Sequence, residues 1–84
     1  MNILDTLRAR MQHNLDMLSP GHTGWSRIFP QTRRVMNQQM GQWCYLAEEL
    51  LTAADLVTLK HLLNLDECQW HAYKWTFVHT AAAY

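Results

Sequence analysis

The chain has 84 residues, enough for one small core and too few for a second domain. Apolar residues make up 49% of it, and seven Lys and Arg balance seven Asp and Glu. A neutral chain lacks the electrostatic footprint of a general nucleic-acid or anionic-membrane binder and leaves room only for a localised patch. No apolar run approaches the roughly 18–20 residues needed to span a bilayer. Met1-Asn2-Ile3-Leu4-Asp5 has neither the basic start nor the small-residue cleavage site of a secretory leader, so the expected location is cytosolic.

The first predicted helix covers residues 3–18, where Leu4, Leu7, Met11, Leu15 and Leu18 recur at three- and four-residue steps. Ser19-Pro20-Gly21 ends it. A loop over 19–30 carries Trp25, Ile28 and Phe29, three large apolar groups expected to pin it onto the core. Pro30 suits the opening turn of a second helix, predicted over 31–51, because its missing N–H would go unused there. Met36, Met40, Trp43, Ala47 and Leu50 form its stripe, widened by Cys44, Leu46 and Leu51. Gly41 in mid-helix costs about 1 kcal/mol relative to Ala, which close packing or a slight kink would explain.

Thr52-Ala53-Ala54-Asp55 resembles a capping box opening a third helix over 53–63, with Leu56, Leu59, Leu62 and Leu63 as its buried face. Asn64 is its expected stop and Leu65 the hydrophobic residue beyond. Asp66, with Gln69 three residues on, caps a fourth helix over 66–82. The alternation of Tyr73, Trp75, Phe77 and His79 would also suit a strand. A lone strand has no partner, however, and the helical period accounts for more residues. The expected fold is therefore all-α, a four-helix single domain over 1–84, with short joints that make consecutive helices neighbours.

At 100° per residue the fourth helix has two unlike faces. Trp70, Tyr73, Phe77 and Tyr84, with Ala81, make an aromatic core stripe. Cys68, His71, Trp75 and His79 fall within about 80° of arc on another face. Burying both would leave the helix little surface for water. Trp75 either packs under the loop at Trp25 or anchors a partner, as exposed tryptophans often do.

Metal binding is the less favoured use of this face. Cys68-x-x-His71 is one tight pair, with His79 two turns on and His61 on the preceding helix, where a structural zinc site needs two such pairs. Cys44 and Cys68 lie within predicted helices and are expected to be reduced thiols. Catalysis is equally unsupported. Cys68 and His71 lack a third orienting group, Glu48 and Glu49 diverge, and no glycine-rich phosphate loop is present. No enzyme activity, metal or cofactor is implied.

Two binding functions remain. Residues 53–75 have the spacing of a helix–turn–helix, which would offer Gln69, His71 and Lys74 to a DNA groove with Arg33 and Arg34 on phosphates. Asp66 and Glu67 place negative charge at the end that should approach DNA, and Arg33 and Arg34 would serve equally to cap carbonyls or face solvent. The favoured reading is a protein-interaction module, a regulator or inhibitor that sterically blocks a larger protein through Trp75, His71, Cys68, His79 and Trp25. Its size and lack of catalytic equipment fit a phage- or plasmid-borne inhibitor. The wide stripes of the first two helices suggest a homodimer seam around Leu7, Met11, Met36 and Met40.

Overall fold

The structure, a computed structural model, describes residues 2–19 and 30–82, the side chains of Pro30 and of residues 80–82 excepted. Four α-helices follow in order: α1 (Ile3–Leu18), α2 (Pro30–Leu50), α3 (Ala53–Leu62) and α4 (Glu67–Ala82). Each boundary falls within one residue of the expected one. The described residues contain no strand, so the segment that could alternate as one is helical. No helix among them is long and apolar enough to cross a membrane. The loop carrying Trp25, Arg27, Ile28 and Phe29 lies outside the described residues, as does Tyr84.

Local side-chain chemistry sets the helix ends. Asn2 Oδ1 accepts from Asp5 N at 2.8 Å and caps α1, and Thr52 Oγ1 accepts from Asp55 N at 3.1 Å to cap α3. After α3 the backbone turns through Asn64 at φ 57°, a left-handed conformation that asparagine tolerates better than most residues. Asn64 N donates to His61 O and Leu65 N to Lys60 O, each at 3.0 Å, the paired bonds of a Schellman stop. Leu65 then tucks into the core. The next residue begins α4 at once: Asp66 Oδ1 accepts from Gln69 N at 2.7 Å while Asp66 N donates to Gln69 Oε1 at 3.0 Å.

The central element is α2. α4 packs along it most extensively, α1 lines another side, and α3 makes smaller contacts with both α1 and α2. The core gathers Leu7 and Met11, Met40, Cys44 and Ala47, then Leu59, Leu63, Leu65 and Trp70. Leu7, Met11, Met36 and Met40, expected at a seam between two copies, are buried within the single chain. The stripes of α1 and α2 meet at these four side chains, which leaves little of them exposed.

Three leucines assigned to buried stripes lie outside instead. Leu50 and Leu62 are exposed, each at the last turn of its helix, and Leu46 is exposed one turn before Leu50. The single buried polar side chain among the described residues is Asn14, 3% exposed. Its Nδ2 donates to Met36 O at 3.3 Å and lies 3.2 Å from Gln39 Oε1, tying α1 to α2 inside the seam. Arg33 Nη1 donates to Leu18 O at 3.2 Å, so this arginine caps the end of α1.

Gly41 is the point where α2 and α4 approach most demandingly. A Cβ there would collide with the Tyr73 carbonyl oxygen and with Phe77 Cβ. The mid-helix glycine is thus explained by close packing.

Candidate functional site: the two faces of the fourth helix

What fixes α4 in place also decides which of its side chains remain free. Trp70, one turn into the helix, is wholly buried and fills the core beneath α2. Its Nε1–H donates to Glu48 Oε2 at 2.8 Å, so the indole is buried without an orphaned donor. Lys74, four residues on, places Nζ 2.9 and 3.0 Å from the two oxygens of the same carboxylate. Lys60 covers the other side, with Nζ 4.9 Å from the centre of the Trp70 ring and 2.7 Å from Glu67 Oε1. Farther along, Tyr45 and Phe77 meet with ring centres 5.9 Å apart at 54°.

Glu48 is the hub of this array. Burial alone would raise its pKa, but the hydrogen bonds from Lys74 and Trp70, with the charges of Lys74 and Lys60, hold the carboxyl below its ordinary value. The bond to Glu48 in turn holds the Lys74 ammonium above its ordinary value. Beneath them, burial pushes the Cys44 thiol up to about 12, and the nearby Glu48 charge adds to the effect. Tyr73 is raised by burial and by Cys44. Glu48, Lys74, Trp70 and Cys44 together form a packed joint between α2 and α4.

The opposite face of α4 is open. Cys68, His71, Trp75 and His79 are all exposed, and Val78 extends the patch. Trp75 is 63% exposed, the most of any exposed large hydrophobic side chain among the described residues. It stacks on His79 with ring centres 4.0 Å apart at 33°. His71 Nε2 lies 3.8 Å from Glu67 Oε2, one turn back. The split expected from helical spacing is therefore present on the described residues: Trp70 is buried, Tyr73 and Phe77 are partly buried, and the cysteine–histidine–tryptophan face is not.

Cys68, His71 and His79 do not converge, and no group of three metal-ligating side chains is gathered anywhere among the described residues. The residues expected to contact DNA are mostly committed elsewhere. Gln69 closes the α4 cap, Lys74 is paired with Glu48, and Arg33 caps α1, which leaves Arg34 and His71 exposed. Trp25, the fifth residue expected on the partner-binding face, lies outside the described residues.

One surface feature was not anticipated from the sequence. A groove of about 330 Å³ runs between α1 and α2, walled by Ile3, Leu7, Trp43, Leu46 and Leu50 with Arg10 at its rim. Its signal was present as an excess, since the apolar stripe of α2 is wider than α1 and α4 can cover together. Compared with protein-family models, curated proteins and solved structures, the chain has no match in any of the three.

Proposed function

We propose that the chain is a small non-enzymatic protein-interaction module that binds a larger protein through the outer face of α4 and acts by occupying that protein's surface. The observation that carries this reading is Trp75. The fold buries Trp70 completely and Trp43 in part, yet it leaves Trp75 63% exposed beside His79. A large, stiff, amphipathic ring standing on a rigid helix loses little conformational freedom on docking, which is why tryptophan dominates interface hot spots. α4 is held rigidly by the Gly41 contact and by the Trp70–Glu48–Lys74 joint, so the face is preorganised.

The test is capture of a partner by tagged chain, with and without nuclease, using the wild type and Trp75→Ala. Stoichiometric, nuclease-resistant capture is expected, and Trp75→Ala should weaken it about thirtyfold or more, the size of a hot-spot truncation of about 2 kcal/mol. Its helical circular dichroism should be unchanged, because Trp75 lies outside the core. Capture that survives Trp75→Ala intact would remove this face from the interaction. A nuclease-sensitive, salt-dependent association lost on neutralising Lys74, Arg33 and Arg34 would instead point to DNA.

A further inference from the structure

The groove on the other flank of α2 has a composition that specifies its occupant more closely than the Trp75 face does. Gly41, which α4 overlies, and Trp43, which walls the groove, are two residues and about 200° apart around α2, so the two surfaces are separate. Ile3, Leu46 and Leu50 are exposed there, an apolar wall in contact with water. A second depression continues it along α1 past Arg10 and Trp43 to His13, with Asn14 at its inner end. From Ile3 to His13 the track is about 15 Å long, close to three helical turns.

Its charge is one-sided. Arg10 lines both depressions, and neither is lined by a carboxylate. Asp5 and Asp16 of α1 line a different depression on the outer side of the helix, with Arg8 and Gln12. None of the ion pairs among the described residues involves Arg10. An apolar trough between two helices, three turns long, with an uncommitted guanidinium at the rim, matches the way one amphipathic helix lies in a groove. The guanidinium asks for a carboxylate on that helix. A second copy answers this poorly, since on the exposed face of α4 the carboxylate beside the histidines, Glu67, is already paired with Lys60 at 2.7 Å.

We propose that the α1–α2 groove seats a short acidic amphipathic helix of the partner protein, its apolar side on Trp43, Leu46 and Leu50 and a carboxylate on Arg10. This rests on the interaction-module reading and adds to it a second, independently testable contact.

The probe is a fluorescein-labelled model helix of about four turns, with leucines at i, i+3, i+4 and i+7 and flanking glutamates, read by anisotropy against the same peptide with lysines for glutamates. The acidic peptide should bind saturably and the lysine peptide about tenfold or more weaker. Arg10→Glu should reverse that order, Leu46→Glu should weaken the acidic peptide about tenfold or more, and Trp75→Ala should change nothing. Both groove positions are exposed, and circular dichroism checks the fold; should Leu46→Glu lose helicity, Arg10→Glu alone carries the test. No saturable binding, equal binding of the two peptides, or indifference to Arg10→Glu would overturn the proposal. So would a concentration-dependent dimer in sedimentation that Leu46→Glu abolishes, which would give the groove to a second copy. Loss of partner capture in Trp75→Ala with peptide binding intact would support both surfaces. Failure of the peptide alone would sink only the groove.

Discussion

Gly41→Ala sets two physical effects against each other with opposite signs. By helix propensity alone the substitution stabilises α2 by about 1 kcal/mol. The backbone of Gly41 poses no obstacle, since it does not lie in the left-handed region. Against this stands the added methyl, which would overlap the Tyr73 carbonyl oxygen and Phe77 Cβ and lie 3.0 Å from Tyr73 C. A backbone carbonyl and a Cβ cannot rotate aside, so α2 and α4 must separate by about 1–2 Å to restore ordinary contact near 3.5–4 Å. A gap of even about 0.5–1 Å forfeits a quarter to a half of each dispersion contact along the seam, and overpacking costs about 1–3 kcal/mol. Taking the upper end, because nothing at the site is flexible, and subtracting the propensity gain leaves a net loss of about 2 kcal/mol. For a domain of this size that lowers Tm by about 8–16 °C, read by circular dichroism during thermal unfolding. Adding Phe77→Ala should not rescue the loss, since Phe77 Cβ remains. A Gly41→Ala protein that melts higher than wild type would refute the close approach of the two helices.

The Glu48 joint and the two thiols give further expectations. Glu48→Gln keeps an oxygen for the Trp70 Nε1–H, whereas Glu48→Ala leaves a fully buried donor unpaired, so alanine should be worse by about 1–3 kcal/mol in urea unfolding. Because the folded state holds the Glu48 carboxyl below its ordinary 4.5, its contribution is complete above that pH and is lost as pH falls through the lower folded value. The stability gap between wild type and Glu48→Gln should therefore narrow on acidification; a gap independent of pH would mean that the ion pair contributes nothing. With a thiol-specific reagent under native conditions, Cys68 should react and Cys44 should not, because Cys44 is buried with its thiol pushed up to about 12. Cys44 should label only once denaturant opens the fold, and equal labelling rates without denaturant would contradict its place in the core.

Most of the helical framework was legible because it rests on local chemistry. Asn64, Leu65, Asp66 and Gln69 lie within six residues of one another, and their bonds form the stop and start of two helices without reference to the rest of the chain. Gly41 could be flagged from its cost alone, although only the fold reveals Tyr73 and Phe77 across from it. What the sequence concealed lies at long range. Asn14 reads as a polar residue on an amphipathic helix, and nothing nearby says that Met36 and Gln39 will meet it in a buried seam. Glu48 reads as a surface acid until Trp70 and Lys74, 22 and 26 residues away, converge on it. The exposure of Leu46, Leu50 and Leu62 escaped for a related reason, since periodicity gives the direction of a side chain but not whether a neighbour extends far enough to cover it.

That distinction between direction and cover also governs the functional surfaces. On α4 the period alone separated a packing face from a free one, because α2, helped by Lys60 of α3, takes one side and leaves Cys68, His71, Trp75 and His79 exposed. On α2 the apolar stripe is shared between neighbours on both flanks, and their combined reach falls short at Trp43, Leu46 and Leu50. An apolar stripe broader than its partners can cover leaves a trough at the joint instead of a ridge. The two exposed surfaces thus differ in shape for a physical reason: Trp75 projects from a helix packed on one side only, whereas the groove is the uncovered remainder of a helix packed on two. A projecting ring is suited to enter a pocket on another protein, and a trough with Arg10 at its rim is suited to receive a helix from one.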